Sequence, residues 1–425
     1  MLDLRHIRDH PEQVRRAIRA KQLPEALAAL DALLLADEGR RLARADLEAK
    51  QAVRNAASKE IGARKRRGEG AEELMAQMTE VSSEVKRLED RDASLAEQID
   101  ALLLEIPNLP HESVPYGESE HDNVVVAEHG ERATADGALP HWDLPLARRL
   151  FDLEAGVTLT GAGFPVARGA GARLVRGLAA YFLDRLARAG YEEIIPPLVV
   201  NAASATATGQ LPDKEGQMYG VTGGFYLIPT SEVPVTNLHR GAILDEDALP
   251  LRYCAFTPCF RREAGSHGKE VRGLNRVHQF DKVEMVQFTR PEESYGALES
   301  MTETAEALLV ELGLPFRRLL MCTGDMGFTQ AKKYDLEVWS PGQERWLEVS
   351  SISNMEAFQT NRLGTRARSG GAAGRGRTGP VHTLNGSALA FPRTIAALLE
   401  TGQRPDGTVE LPQVLHEFVG SNVLA

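Results

Sequence analysis

The chain has 425 residues, enough for two or three domains with a sizeable core. Its composition, 43% hydrophobic and 26% charged, excludes wholesale disorder and collagen, and no run reaches the ~18 apolar residues of a membrane-spanning helix. The formal charge of -11 opposes nonspecific nucleic-acid binding, so a polyanion must meet a local basic patch.

The N-terminus gives no sign of a secretory signal. Residues Met1 to Asp9 mix charged and apolar side chains from the start. The three cysteines, Cys254, Cys259 and Cys322, show neither a C-x-x-C motif nor paired Cys/His spacing. We therefore expect a cytoplasmic protein with reduced cysteines, no disulfide framework, no structural zinc site and no membrane partner.

The first 105 residues differ in composition from the rest, because they contain no aromatic residue. From Leu74 to Leu102, apolar residues alternate at spacings of four and three, interrupted where Asp92 occupies a seam position. A less regular helical stretch runs from about Pro24 to Gly62, and glycines at 68 and 70 separate the two. The pattern predicts an antiparallel two-helix coiled-coil arm over residues 1–105, with limbs of roughly 50 Å.

Cations cluster near the predicted bend, with Glu60 the only acid between Lys50 and Arg67. A basic tip on a long rod favours contact with nucleic-acid phosphates, whereas the alternative is an ordinary solvated helix face. The candidate phosphate-contacting residues are Arg54, Lys59, Arg64, Lys65, Arg66 and Arg67.

Prolines at 107, 110 and 115 end the second helix, and we interpret residues 106–141 as a linker. Residues 142–425 predict an α+β domain, with helical patterns near 146–189 and 294–313 and short β-rich runs between 191 and 360.

Two of these runs form a predicted antiparallel ribbon. Residues 253–262 and 277–288 alternate in character and are joined by a polar loop. Strand alternation places His278, Phe280, Lys282 and Glu284 on one face.

The sequence contains no P-loop, and the G-x-G-x-x-G match at 374–379 follows no predicted strand, so we regard it as a coincidence. The strands carry other candidates. Arg261 can grip phosphate, Phe280 can stack on a purine, and Glu284 can hold an ammonium. Glu348 and Ser351 offer oxygens suited to Mg²⁺, and Arg393 precedes a helical run, a favourable place for a terminal phosphate. Each residue alone also fits a surface charge, a core aromatic or a strand-pair ion pair.

Five ordered motifs resemble those of bacterial seryl-tRNA synthetases, a family of class II aminoacyl-tRNA synthetases, and the resemblance extends over essentially the whole chain. It implies a homodimer whose class II catalytic domain, residues 142–425, is built on a mainly antiparallel β-sheet flanked by helices. It also implies activation of L-serine with ATP and transfer to serine tRNA, and to selenocysteine tRNA where present. The motifs are 190–197 (motif 1), 257–265 with 278–285 (motif 2), 385–400 (motif 3), 229–234 and 348–351.

The same resemblance implies the role of each matching residue. Arg261 and Arg393 are the implied catalytic residues, and Glu348 and Ser351 are the implied Mg²⁺ ligands. The implied serine-binding residues are Thr230, Ser231, Glu232, Glu284, Asn385 and Ser387. The implied ATP-binding residues are Arg261, Arg262, Glu263, Val277, Phe280, Glu348, Val349, Ser350, Ser351 and Arg393.

The sequence departs from the family pattern at Arg262, at Phe391-Pro392 and in the Gly/Arg-rich loop 364–379. Two other functions are compatible with parts of this pattern. A non-catalytic tRNA-binding paralogue is expected to lose some of the candidate site residues, which are all present. A carrier-protein aminoacylating ligase is expected to lack the arm and to carry a zinc site.

Overall fold

The computed structural model describes residues 1–132, 137–263, 272–370 and 376–425, which form two compact units, Met1–Pro107 and Asn108–Ala425. Within these ranges no helix is both long and apolar enough to cross a bilayer. The helices are α1 Leu4–Asp9, α2 Pro11–Ala20, α3 Ala26–Arg67, α4 Glu72–Leu103, α5 Pro145–Leu150, α6 Leu153–Leu159, α7 Ala170–Arg188, α8 Ala202–Thr208, α9 Glu232–Thr236, α10 Ser294–Glu311, α11 Phe358–Leu363, α12 Phe391–Thr401 and α13 His416–Val419. The strands are β1 Val124–His129, β2 Phe151–Asp152, β3 Val166–Ala167, β4 Glu192–Glu193, β5 Val199–Asn201, β6 Gly220–Val221, β7 Phe225–Leu227, β8 Ile243–Asp245, β9 Leu251–Phe260, β10 Gln279–Thr289, β11 Phe316–Leu320, β12 Lys332–Ser340, β13 Arg345–Glu356, β14 Arg366–Arg368, β15 Thr378–Gly379, β16 His382–Ala390, β17 Val409–Glu410 and β18 Val423–Leu424.

The first unit contains the predicted helical hairpin, which is confirmed. Helices α3 and α4 pack along each other, and α3 ends at Gly68, whose φ of 71° is left-handed and whose N–H bonds the last-turn carbonyls of Arg64 and Lys65. Helix α3 continues five residues past the predicted end at Gly62, so the basic cluster at 64–67 is helical. At 1.5 Å per residue, α3 and α4 are roughly 63 and 48 Å long.

The polar interruption of the coiled-coil seam has a partner in the facing helix. Arg40 Nε and Arg44 Nε donate to Asp92 Oδ1 at 3.0 and 2.8 Å. Because the charge would be costly in the seam without its arginines, this cluster favours one axial register of α3 against α4.

The second unit is built on an eight-stranded sheet in the order β1-β11-β12-β13-β16-β10-β9-β4. Its pairs are antiparallel except for the parallel β4–β9 pair, which confirms the mainly antiparallel sheet. Side chains from the sheet and from helices α7, α10 and α12 form the principal hydrophobic core. Residues Leu251–Phe260 and Gln279–Phe288 pair as the predicted ribbon, whose connecting loop lies partly outside the described residues.

The structure adds detail to two parts of this unit. The stretch 146–189 is three helices, α5, α6 and α7, interrupted by the short β2–β3 pair. The segment interpreted as a linker contains β1, which pairs with β11 at the edge of the main sheet. All six residues of β1 are exposed, so the strand lacks the alternation that sequence analysis depends on. The functional boundaries at residues 105 and 141 stay predictions.

Candidate active site

One face of strand β10 forms the floor of the candidate site. Val283 and Met285 point into the hydrophobic core, so the alternate residues Phe280, Lys282 and Glu284 point away from it. Lys282 and Glu284 are nevertheless only 5% and 3% exposed, because groups from other elements, including Thr230 and Ser387, lie against their side chains. The predicted shared face is therefore an enclosed polar pocket.

The first wall of this pocket is the start of α9, where Thr230, Ser231 and Glu232 are all buried. Gln359 on α11 donates to Glu232 Oε1 at 2.6 Å and accepts a hydrogen bond from Thr383 Oγ1 at 2.7 Å. Burial and the neighbouring Glu284 raise the pKa of Glu232 to about 7. Gln359 was not identified from the sequence, because it lies outside the recognised motifs.

The opposite side of the pocket centres on Glu284. Lys282 Nζ lies 2.6 Å from Glu284 Oε2 and donates to Thr230 Oγ1 at 2.8 Å. Ser387 Oγ donates to the same Glu284 oxygen at 3.2 Å. Sequence analysis placed Lys282 on this face and gave it no role.

Two buried polar groups in this region, Asn385 Nδ2 and Ser231 Oγ, have no hydrogen-bond partner among the described residues. A buried donor without a partner costs free energy, and a polar ligand can remove that cost. The pocket thus combines two carboxylates, one ammonium and unsatisfied polar groups, a set suited to a small zwitterion.

Strand β16 packs closely against β13 beside this pocket. Asn385 and Ser387 flank Gly386, where an added Cβ would meet Ile352 Cγ1 at 2.8 Å, so only glycine fits against β13. The register between β10 and β16 shifts between Lys282 and Glu284, and Leu389 has a φ of 77°. Such bulges redirect a strand, and here the chain turns into α12.

The end of β9 carries the first predicted nucleotide-binding group. The Arg261 guanidinium lies 5.2 Å from the centroid of the Phe280 ring, and its Nε donates to the Pro229 carbonyl at 3.4 Å. Glu263, whose φ is 47°, forms an ion pair with Arg276, a residue not identified from the sequence.

The other predicted residues of motif 2 are less closely grouped. Arg262 is exposed, and Val277 is buried. Ala264 and Gly265 lie outside the described residues, as do residues 371–375 of the Gly/Arg-rich loop.

Arg393 lies in the first turn of α12, as expected. Its Nη1 is 3.6 Å from Glu348 Oε2 and 3.0 Å from the Glu348 carbonyl oxygen, while its Nε donates to the Asn275 carbonyl at 2.9 Å. Desolvation alone raises the pKa of Glu348. The surrounding cations, led by Lys333 and Arg393 and including Arg261, outweigh this effect, so the pKa lies below its ordinary value. Glu348 therefore remains an anion among the cations at this end of the cleft.

Behind Glu348 lies a second carboxylate, Asp335, which pairs in register with Ser351. Lys333 Nζ is 3.1 Å from Asp335 Oδ2, whereas Asp335 Oδ1 is buried without a hydrogen-bond partner among the described residues. Burial raises the pKa of Asp335 to about 7 although Lys333 opposes it. The Ser351 hydroxyl lies close enough to Asp335 to lower the pKa of its carboxyl, and Glu348 lies close enough to raise it. Two carboxylates and a hydroxyl grouped in this way are oxygen ligands of the kind that a hard cation such as Mg²⁺ prefers. No cluster of three His, Cys, Asp or Glu side chains suited to a metal occurs in the part of the chain that the structure describes.

Two predicted ATP-binding residues face elsewhere. Val349 is 1% exposed and lies in the hydrophobic core, and the Ser350 hydroxyl donates to the Ser387 carbonyl at 2.6 Å. Val349 and Ser350 can therefore contact a nucleotide only through their backbone atoms. The side chains of Glu348 and Ser351 can still contact a ligand in the cleft.

The basic tip of the first unit is a separate candidate surface. Arg64 and Arg67 pair with Glu60 and Glu69, at 3.0 and 2.8 Å. Lys59, Lys65 and Arg66 are exposed, and Arg54 is half-buried. The tip therefore retains cations that face solvent.

Family models match both parts of the chain. Residues 1–110 match the seryl-tRNA synthetase N-terminal domain, and residues 222–402 match the class II tRNA synthetase core domain shared by the G, H, P, S and T enzymes.

Individual proteins match over almost the full length. A serine–tRNA ligase of Salinibacter ruber is 52% identical, covering 99% of this chain and 98% of its own. The structure of seryl-tRNA synthetase from Pyrococcus horikoshii complexed with ATP is 35% identical with a TM-score of 0.95, covering 100% and 99% of the two chains. The cytoplasmic enzyme of Naegleria fowleri in complex with AMP is 28% identical with a TM-score of 0.89, covering 100% and 98%.

Proposed function

We propose roles for the cleft residues on the premise that this chain belongs to the seryl-tRNA synthetase family. Its activity is that of a class II serine–tRNA ligase, which activates serine with ATP to seryl-adenylate and transfers the seryl group to tRNA. ATP is a substrate of this reaction.

On the nucleotide side, Arg261 binds the α-phosphate and the serine carboxylate together, since a guanidinium can bridge two anions. Phe280 stacks on the adenine, and Glu263 accepts from its amino group after Arg276 releases the carboxylate. Arg393 binds the γ-phosphate at the positive end of α12. The short distance between Arg393 and Glu348 supports this assignment, because Arg393 already lies next to an anion in the cleft.

On the amino-acid side, Glu232 and Glu284 hold the ammonium of serine, with Thr230 and the backbone at Ser231 completing the pocket. Asn385 and Ser387 lie close to the substrate hydroxyl. The buried Asn385 Nδ2 supports this arrangement, because it makes no regular hydrogen bond among the described residues although it lies close enough to Glu232 to lower the pKa of that carboxyl. A site built around a hydroxyl rejects alanine, by up to about 10⁴-fold, because its own polar groups are left unpaired.

Glu348 and Ser351 would hold Mg²⁺, with Asp335 behind them. When bound, the cation neutralises charge on the phosphates. The chain's own residues align the reactants. The serine carboxylate is already ionised at neutral pH, so its attack on the α-phosphorus needs no general base. Arg261 and Arg393 compensate the charge that develops as pyrophosphate leaves. The terminal ribose hydroxyl of tRNA then attacks the seryl carbonyl, and AMP leaves.

The arm at residues 1–105 binds the long variable arm of serine tRNA, and of selenocysteine tRNA where present. The exposed cations Lys59, Lys65 and Arg66 support this role, because recognition of a helical RNA shape depends largely on backbone phosphates.

We further propose a cytoplasmic homodimer, since tRNA charging serves translation there. Large apolar side chains are exposed along the motif 1 segment and the small strands that follow it, including Ile195 at 88% and Ile243 at 53%. Exposed large apolar side chains mark an interaction surface where they form a contiguous patch.

The observation that carries the proposal is that Arg261 and Arg393, which come from the end of β9 and from α12, both lie close enough to Glu348 on β13 for their charges to lower its pKa. Serine-dependent exchange of pyrophosphate into ATP, followed by charging of transcribed serine tRNA, tests it. The proposal expects both reactions. Charging of a carrier protein, or tRNA binding without exchange, would favour one of the alternative functions.

A further inference from the structure

The pocket beside β10 contains a buried cation to which the proposed reaction assigns no role. Lys282 is 5% exposed, and its ammonium lies between Glu284, at 2.6 Å, and the Thr230 hydroxyl, at 2.8 Å. It therefore bridges β10 to the start of α9. Both partners belong to the proposed serine pocket, whereas Lys282, although it lies within motif 2, has no implied role.

The charges of the pocket explain why a lysine is useful there. Glu232 and Glu284 are both buried and close enough for Glu284 to raise the pKa of Glu232. Two carboxylates with one lysine leave a single excess negative charge, which one substrate ammonium offsets. Without the lysine, two buried carboxylates would face each other uncompensated, an arrangement that favours protonation of one of them.

We propose that Lys282 is a positioning residue of the serine pocket: it orients Glu284 and Thr230 and limits the pocket to one excess negative charge, matching one substrate ammonium. This inference rests on the proposed function, because it assumes that these two partners hold serine.

Lys282 acts through its partners, and Gln359 does the same for Glu232 from the opposite side. With its carboxylate fixed by the Lys282 ammonium and the Ser387 hydroxyl, Glu284 cannot rotate away from the pocket. Because these side chains are already in position, serine binding requires little rearrangement of the pocket. Loss of Lys282 therefore weakens serine binding specifically.

The experiment uses the full chain with the variants Lys282→Met, Lys282→Gln and Lys282→Arg, and measures serine and ATP KM by ATP–pyrophosphate exchange together with thermal unfolding. Lys282→Met should raise the serine KM at least about 30-fold, because it leaves one member of a buried ion pair uncompensated. The ATP KM should change by less than about twofold, and Lys282→Arg should recover more serine affinity than Lys282→Gln.

The matched control is Lys332→Met. Lys332 is also a mostly buried lysine paired with a glutamate, Glu299 at 3.7 Å, and it lies outside the cleft. It should leave both KM values unchanged.

A serine KM within about threefold of wild type in Lys282→Met would overturn the proposal, as would equal increases in the serine and ATP KM with a lower unfolding temperature. If Lys282→Met does not fold, equal serine KM values for the Arg and Gln variants overturn it. Absence of serine-dependent exchange in the wild type would refute the proposed function itself, and the inference with it.

Discussion

The raised pKa of Glu232 predicts a specific pH dependence of serine binding. In the empty pocket this pKa is about 7, because burial and Glu284 disfavour the anion. A serine ammonium favours the anion, so binding lowers the pKa and is coupled to loss of the proton. As pH falls through 7, Glu232 gains a proton and serine binds more weakly. The ionised fraction falls from about 90% at about pH 8 to about 10% at about pH 6, which predicts roughly tenfold weaker binding.

Calorimetric titration of serine without ATP measures this directly, and it avoids titration of Asp335 near the phosphate site. Glu232→Gln is the matched variant, because it keeps the shape and removes the titrating group. Its serine affinity should be low and independent of pH over the same range. A wild-type affinity that is flat between about pH 6 and 8, or that rises on acidification, would refute the reasoning.

Three further outcomes follow from the arm and the phosphate site. Replacing Lys65 and Arg66 by Gln should reduce the slope of log affinity for tRNA against log salt by about 1.5, with unchanged adenylate formation; an unchanged slope would exclude them from phosphate contact. Asp92→Ala should lower the thermal unfolding midpoint of the helical arm by roughly 5 °C, measured by circular dichroism, and an increase would contradict the proposed charge cluster. Arg393→Ala should reduce the exchange kcat about 100-fold or more while serine still binds; full activity would remove Arg393 from the phosphate site.

The hairpin and the central ribbon were predictable because their patterns are strongly periodic. The seam from Leu74 to Leu102 and the alternation in β10 each repeat over several turns or residue pairs. Strand β1 carries no such signal, since both of its faces are exposed. In the stretch 146–189, short breaks leave the apolar spacing on either side intact, so the pattern indicates helix without fixing where each helix ends.

In the candidate site, motif positions were predictable and their supporting contacts were not. Arg261, Phe280 and Arg393 lie on recognisable motifs, and each faces the cleft. Lys282 and Gln359 act through partners distant in sequence, with Thr230 lying 52 residues from Lys282, so only the folded chain reveals them.

The most direct test of the central claim is the rate of seryl-adenylate formation in a single turnover, compared between the wild type and Arg261→Ala. A guanidinium that aligns both reactants and offsets their charge should make this step at least about 100-fold slower when removed, while the protein stays folded. An unchanged rate in Arg261→Ala would show that the adenylate forms without the residue on which the whole arrangement of the cleft depends.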